Sequence, residues 1–227
     1  DNGENVFNFY DNFAGTTLSS KWTAGASGGS YTVDNGLTII LPYNAPGGSY
    51  VYVSTSHFVV NSPQIVESYA NLNGFYTSNF RIVPIALTQY NTVPWHASNG
   101  PNENGVGWVG DAQYYNTVSA ETTTESNAND FESSQITSTS EYELWGIIYP
   151  DNGSVAVQYN YQNWGSTTTY VPPTPLFITI SNYVNPSQNT YKTTYPINVY
   201  WVRARAYPPN GVMPSNSQPQ KTIILVA

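Results

Sequence analysis

Two glutamates, Glu67 and Glu143, are the acidic residues best suited to chemistry, because each lies in a segment where apolar and polar residues alternate. Hydrolysis of a glycosidic bond needs two carboxyl groups that flank the bond, about 5–5.5 Å apart for retention of configuration and further apart for inversion. The same residues also have a structural interpretation, because a buried arginine needs an acidic partner. We favour this second interpretation, an ion-pair set that locks a sheet and consists of Glu67, Glu143, Arg203 and Arg205.

Aromatic residues accompany these charges. In each of three predicted strands, an aromatic residue stands two positions from one of the charged residues. Side chains two positions apart in a strand point to the same face of the sheet. Flat aromatic rings pack well against pyranose rings, so the sequence predicts a carbohydrate-binding surface. Its predicted residues are Tyr69, Trp145 and Trp201.

Other kinds of site are poorly supplied with residues. The chain has no cysteine, and its two histidines, His57 and His96, are far apart in the sequence. A zinc site requires more ligands than these, so we expect no metal and no cofactor. Residues 1–4 and 127–132 are rich in Asp and Asn, which turn formation explains as well as calcium binding does. Asn152 begins an Asn-Gly-Ser sequence, which is both a glycosylation acceptor and a tight-turn signal.

The chain is poor in charge and rich in hydroxyl and amide side chains. Only 9% of its 227 residues are Asp, Glu, Lys or Arg, against about a quarter in ordinary globular domains. Six Lys and Arg residues and a net charge of -8 argue against nucleic acid as a partner, because cations are needed to neutralise phosphate. No segment is long and apolar enough to span a bilayer. We expect an extracellular, cell-surface protein, either a mature chain that has lost its leader or an excised domain.

The hydrophobic pattern predicts strands throughout and no helix. Two hairpins are indicated by Asn-Gly pairs at 35–36 and 152–153, since both central residues of a type I′ turn need a positive φ. About ten alternating segments are bounded by turn signals. We therefore predict an all-β fold, an antiparallel two-sheet jelly-roll sandwich. The predicted strands lie within residues 5–13, 30–41, 49–60, 64–72, 80–90, 142–161, 175–184 and 197–207.

Two regions depart from this pattern. Residues 91–140 are rich in Asn, Gly, Ser and Thr, and we expect a long excursion over the sheet edge or short edge strands there. Residues 214–221 form a polar, proline-containing spacer before six mostly apolar residues at the end of the chain. We divide the chain into a jelly-roll β-sandwich at 1–213 and a linker with a C-terminal strand at 214–227. An unpaired apolar strand is an aggregation hazard, so this strand must complete a sheet, either in its own chain or in a neighbouring copy.

Four segments resemble strands of concanavalin A-like jelly-roll domains. They are FYDNFAGTTLSSKWT at 9–23, YTVDNGLTI at 31–39, VESYANL at 66–72 and YWVRARAYPPNGVMPS at 200–215. The last of these is similar to a domain type of unassigned function in archaeal surface proteins. The resemblance implies two large antiparallel sheets, one of them concave and often used for carbohydrate.

Jelly-roll glycosidases carry either a Glu-x-Asp-x-Glu set on one strand or a second Glu near the C-terminus. Glu141 and Glu143 have the spacing of the first set, but Trp145 occupies its third acidic position. No Asp or Glu follows Asp151. Both arrangements are broken, and we expect that the chain is not an enzyme.

The leading hypothesis is an extracellular structural subunit of a surface filament or layer. It would bind copies of itself head to tail by inserting its terminal strand into the next subunit, because such contacts repeat without closing. The alternative is a non-catalytic carbohydrate-binding jelly-roll module with glycans as partners, and a glycoside hydrolase ranks third. The assembly strand comprises Thr222, Ile223, Ile224, Leu225, Val226 and Ala227.

Overall fold

The computed structural model contains fifteen β-strands and one short 3-10 turn, Gly3–Asn5, in the part of the chain that it describes. The described residues are 3–42, 45–61, 63–73, 80–95, 103–111, 117–125, 127–137, 140–150, 152–184 and 196–208. The strands are β1 (Phe9–Asp11), β2 (Trp22–Ser27), β3 (Ser30–Val33), β4 (Leu37–Ile40), β5 (Tyr50–Thr55), β6 (Gln64–Asn71), β7 (Phe80–Thr88), β8 (Gly105–Asp111), β9 (Thr117–Thr124), β10 (Asn127–Thr137), β11 (Glu143–Tyr149), β12 (Val155–Tyr159), β13 (Gln162–Thr167), β14 (Phe177–Val184) and β15 (Ile197–Ala206).

These strands form two sheets packed as a sandwich. Sheet A has the order β13-β12-β11-β6-β15-β4-β3, and β1 joins it by pairing with β15. Sheet B has the order β10-β9-β8-β7-β14-β5-β2. The described strand pairs are all antiparallel. The predicted all-β, two-sheet antiparallel sandwich is confirmed.

The hydrophobic core lies between the two sheets. In β6, Val66 points into the core and its neighbour Glu67 points to the outer face of sheet A, as period-two alternation requires. The sheets meet at Trp108 of β8 and Trp145 of β11, whose rings pack edge to face with centroids 5.5 Å apart. The indole N–H of Trp108 donates to the backbone oxygen of Gly146 at 3.0 Å. This bond satisfies a polar group that would otherwise be costly to bury.

A β-bulge interrupts β15 where it pairs with β6. The register shifts between Val199 and Trp201, and both Val199 and Val202 belong to the core. The two residues between them, Tyr200 and Trp201, therefore both lie on the outer face of sheet A. Strict alternation from Trp201 would place Tyr200 in the core, and the extra residue of the bulge reverses this.

The region rich in Asn, Ser and Thr forms full-length strands instead of a long excursion. Strands β8, β9 and β10 contain seven, eight and eleven residues. They continue sheet B outward from β7, with β10 at the edge of the described strand order. Thr and the other β-branched residues of this region fit a pleated strand, which explains why a polar composition still gives a sheet.

Two further expectations concern membranes and the tail. No helix in the described part of the chain is long and apolar enough to cross a membrane. The predicted linker and assembly strand at 214–227 lie outside the described residues. The pairing of residues 222–227 with another copy therefore stays a prediction.

Candidate functional site

An aromatic cluster stands on the outer face of sheet A. Its members are Tyr69, Tyr142, Tyr200 and Trp201. Tyr69 and Trp201 are cross-strand partners, with ring centroids 5.6 Å apart and planes 19° from parallel. Tyr142 lies 5.5 Å from Tyr69 and 6.3 Å from Tyr200, measured between centroids. Because Tyr142 and Tyr200 are 41% and 53% exposed, the cluster presents aromatic surface to solvent.

Arg203 extends this cluster along β15. Its guanidinium carbon Cζ lies 4.5 Å from the centre of the Trp201 ring and 5.0 Å from the centre of the Phe7 ring. Cation–π contacts of this kind contribute about 0.5–2 kcal/mol each, depending on desolvation. Arg203 and Trp201 share a face because they are two positions apart, and Phe7 precedes β1, which pairs with β15 at Arg203. The guanidinium is therefore held in a defined orientation.

Glu67 lies between the two arginines of β15. Its side chain is fully buried. The Nε of Arg203 donates to its Oε2 at 2.6 Å, and Nη2 of Arg205 donates to its Oε1 at 3.2 Å. Glu67 has two cross-strand partners, Arg203 of β15 on one side and Gly146 of β11 on the other. A side chain at position 146 would begin 3.5 Å from Cγ of Glu67 and 3.2 Å from Cβ of Gln158, so glycine leaves room for both residues.

Trp145 and Glu143 lie on the inner face of sheet A, contrary to the sequence-based expectation. Trp145 is fully buried in the core, and its indole N–H donates to the backbone oxygen of Ala70 at 3.3 Å. Glu143 accepts a hydrogen bond from the hydroxyl of Tyr159. Burial raises the pKa of Tyr159, and the bond to Glu143 adds to that rise. The cause is the register between β11 and β6, which pairs Trp145 with Ser68. Ser68 lies two positions from the core residues Val66 and Ala70, so it shares their inner face, and so does its partner Trp145.

The predicted residues therefore divide into two groups. Glu67 and Glu143 point to opposite faces of one sheet, so they cannot flank one glycosidic bond. Glu143 does not join the ion pairs that Glu67 makes with the two arginines. Tyr69 and Trp201 lie side by side, whereas Trp145 cannot reach a sugar from the core.

Phe7, Tyr142 and Tyr200 belong to this surface but cannot be found from alternation alone. Tyr142 precedes β11, and Phe7 precedes β1. For Tyr200 the sequence does contain a signal. Core positions in a regular strand differ by an even number, whereas Val199 and Val202 differ by three, which indicates a bulge between them.

A cleft of about 450 Å³ adjoins the surface at Phe7 and Tyr10. Nζ of Lys21 donates there to the carboxylate of Glu4 and, at 2.9 Å, to the backbone oxygen of Tyr10. His57 also borders this cleft. Among the described residues, no group of three or more His, Asp or Glu side chains could hold a metal ion. The lining residues are Glu4, Phe7, Asn8, Phe9, Tyr10, Ser20, Lys21, His57 and Phe58.

The outer face of sheet B is largely buried at its centre. One part is a small apolar cluster separate from the main core, and it consists of Val83, Ala86, Trp95 and Val109. Another part is a chain of buried hydroxyl groups joined by contacts of 2.7 Å, in the order Ser54, Thr179 and Thr88. This face therefore offers less open surface at its centre than the aromatic cluster of sheet A does.

Glu103 is a buried carboxyl group next to this face. The hydroxyl of Thr123 accepts the indole N–H of Trp95 at 3.2 Å and donates to the backbone oxygen of Glu103 at 2.8 Å. The side-chain Oε1 of Glu103 is buried without a hydrogen-bond partner among the described residues. Burial raises the pKa of Glu103 to about 8, so this side chain is mostly protonated at neutral pH.

Asn152 lies in the turn between β11 and β12 and is exposed. Its Oδ1 accepts a hydrogen bond from the backbone N–H of Ser154 at 3.0 Å, and Gly153 has a φ of +73°. Turn formation therefore accounts for the Asn-Gly pair, but Asn152 does not have a positive φ, so the turn is not the type I′ turn that the sequence predicts. Glycosylation at Asn152 stays a prediction.

Comparison with known proteins identifies the fold. No protein-family model matches the chain, and no curated protein does. The catalytic domain of an endo-1,3-β-glucanase (laminarinase) from Thermotoga petrophila RKU-1 superposes with a TM-score of 0.62 at 12% identity, covering 87% of this chain and 96% of that one. An endo-β-1,3-glucanase from Pyrococcus furiosus gives 0.60 at 14%, covering 87% and 93%. A β-1,3-1,4-glucanase (lichenase) from a mouse hindgut metagenome gives 0.63 at 11%, covering 87% and 98%.

The fold is therefore the concanavalin A-like jelly roll, as the sequence resemblance implied. The comparisons do not support the finer resemblance to archaeal surface proteins or the surface filament. The expectation that the chain is not an enzyme is contradicted, because these structural neighbours are glycoside hydrolases. At 10–14% identity the shared property is the fold alone, so function must be argued from the residues on its surfaces.

Replacing Arg203 with leucine should destabilise the fold, because the fully buried carboxylate of Glu67 would lose one of its two cationic partners and keep only Arg205. Removing one member of a buried ion pair costs about 3–5 kcal/mol, and because Arg205 remains we expect a loss of about 2–4 kcal/mol. Urea denaturation measures this loss. The matched control is Lys21→Leu, which removes an exposed pair with Glu4 and should change stability little. Equal losses in the two variants would contradict the role given to Glu67.

Glu103→Gln should alter how stability depends on pH. The pKa of Glu103 in the folded protein, about 8, lies above its usual value of 4.5. Folding therefore favours the neutral form of Glu103. The contribution of this group to the free energy of unfolding is fully present below pH 4.5 and is lost as the pH rises towards 8. The free energy of unfolding of the variant should fall less than that of the wild type across this range. The exposed Glu125→Gln serves as control, and parallel wild-type and Glu103→Gln curves would disprove the assignment.

Proposed function

We propose that this chain binds a glycan on the outer face of sheet A. The observation that carries the proposal is the aromatic cluster, in which exposed Tyr142 and Tyr200 stand next to the stacked pair Tyr69 and Trp201. Such an exposed aromatic patch on a chain poor in charge marks an interaction surface. Tyrosine combines an apolar ring, which can pack on a sugar ring, with a hydroxyl that can bond to sugar hydroxyls.

The chemistry of the tyrosines supports this proposal. Burial raises the pKa of Tyr142, and its neighbours Tyr69 and Tyr200 add to the rise. The hydroxyl therefore stays protonated across the physiological pH range and can both donate and accept. The polar residues beside the cluster, Arg203 and Glu67, are held by contacts with the protein, so ordering them on binding costs little entropy.

An extracellular location would suit this function, and we extend the proposal to it. A surface of hydroxyl and amide groups stays hydrated whatever the pH and salt outside the cell. Head-to-tail assembly through residues 222–227 is a separate prediction, which neither supports glycan binding nor depends on it.

Removing the two exposed rings should weaken binding without unfolding the protein. We expect Tyr142→Ala and Tyr200→Ala each to lower the affinity for a bound glycan roughly tenfold, since each truncation removes an exposed contact ring. The measurement is isothermal titration against laminarin, lichenan and a panel of other neutral and acidic polysaccharides. Tyr31→Ala is the control, because Tyr31 is a similarly exposed tyrosine at the β3 edge of sheet A. Binding that tolerates both cluster substitutions, or binding to no glycan, would contradict the proposal.

Glycan hydrolysis is a second candidate function, favoured by two carboxylates on sheet B. Glu121 of β9 and Asp130 of β10 are direct cross-strand partners, and partners of this kind have Cβ atoms about 4.5–5.5 Å apart. Side chains that start so close together on one face can bring their carboxyl groups to the separation of about 5–5.5 Å that a retaining glycosidase needs. Glu121 is buried and Asp130 is exposed, and two unlike environments suit an acid and a nucleophile. On its other side Glu121 faces Gly107, which has no side chain to crowd it.

If this pair is catalytic, Glu121→Gln and Asp130→Asn should each abolish the release of reducing ends from a β-glucan. The control is Glu125→Gln, an exposed position at the end of the same strand region. Glycan binding at the aromatic cluster should be unchanged in both catalytic variants. Undiminished release in either variant would eliminate the pair.

A further inference from the structure

We infer that the glycan bound at the aromatic cluster carries a carboxylate group, and that the terminal fork of the Arg203 guanidinium recognises it. The inference rests on the proposed function and narrows its substrate class to acidic sugars.

The hydrogen-bonding state of Arg203 is the first observation. Its Nε donates to Glu67. In the described part of the chain, no hydrogen bond is formed by its two terminal amino groups. The side chain is 20% exposed, so part of the side chain meets solvent. Two parallel N–H groups at the end of a guanidinium match the two oxygens of a carboxylate.

The orientation of this fork is the second observation. The Trp201 and Phe7 rings contact the guanidinium at 4.5 and 5.0 Å, and Glu67 fixes its Nε edge. Long side chains normally lose rotamer entropy when they bind a ligand. For Arg203 that entropy has already been lost on folding, so the fork is organised before the ligand arrives.

The charge balance is the third observation. Glu67 is one carboxylate shared by two arginines, Arg203 and Arg205. This group of three therefore carries one surplus positive charge, on a chain whose net charge is -8. The nearby cation Lys21 is paired with Glu4 and adds no surplus. The long-range repulsion of an anionic ligand by the rest of the chain is screened beyond about 8–10 Å at physiological salt.

The neighbouring tyrosines add donors to the site. Burial raises the pKa of Tyr10, Tyr200 and the carboxylate of Asp11 add to the rise, and Arg203 opposes it. Tyr10 is also the direct cross-strand partner of Arg203. Hydroxyl groups that stay protonated can donate to carboxylate oxygens. A site with this surplus of donors selects an anionic oxygen over a neutral sugar hydroxyl, which must itself donate as well as accept.

The test compares each acidic oligosaccharide with its own methyl ester, since esterification removes the charge and leaves the sugar rings. Short oligomers of β-1,4-linked mannuronate, β-1,4-linked glucuronate and α-1,4-linked galacturonate serve as probes, with neutral laminarin oligomers alongside. For at least one uronate, we expect the wild-type protein to bind the free acid at least about tenfold more tightly than the ester. Arg203→Lys keeps the charge beside Glu67 but removes the fork, so it should bring the ratio of acid affinity to ester affinity close to one.

The control variant is Lys21→Gln, which should retain the preference for the acid. Equal binding of acid, ester and neutral oligomers would overturn the inference and leave glycan binding intact. No binding of any oligomer would overturn both. An acid preference that persists in Arg203→Lys would also overturn the inference, because the carboxylate would then be recognised elsewhere.

Discussion

The burial of one negative charge constrains much of sheet A. The side chain of Glu67 is fully excluded from water. Burying an unpaired carboxylate carries a large free-energy cost, so Glu67 must be paired with a cation. Both of its partners, Arg203 and Arg205, come from β15, which fixes the pairing of β15 with β6. The Arg203 guanidinium packs against the rings of Trp201 and Phe7, and Trp201 in turn stacks against Tyr69. The surface that we assign to glycan binding therefore rests on a buried electrostatic pair.

The two outer faces of the sandwich differ in chemistry. Sheet A presents aromatic rings and a cationic group, whereas the centre of sheet B is packed with an apolar cluster that includes Trp95 and with buried hydroxyl groups. Solved structures named as β-glucanases share this fold at 11–14% identity. A shared fold supplies a scaffold and not an activity. For this chain, the outer face of sheet A carries the exposed aromatic cluster, and the carboxylate pair Glu121 and Asp130 lies on the other sheet.

Composition and alternation were sufficient to predict the all-β sandwich, because strand periodicity depends on each residue and its near neighbours. They were also sufficient to suggest that Glu67 meets Arg203 and Arg205, since charges among apolar residues need partners. Composition and alternation could not show which face of the sheet the side chains of one strand share with those of a neighbouring strand. Trp145 was placed on the wrong face because its orientation depends on its register with β6, a long-range property. Tyr200 needed the bulge, and the three strands between 105 and 137 were obscured by their polar composition.

The most direct measurement of the central claim is a crystal structure of the protein with a bound acidic oligosaccharide. The account predicts that the sugar lies on the outer face of sheet A, with a ring against Tyr142 or Tyr200 and a carboxylate within about 3.2 Å of the terminal nitrogens of Arg203. A sugar bound instead across Glu121 and Asp130 on sheet B, with the aromatic cluster untouched, would contradict it.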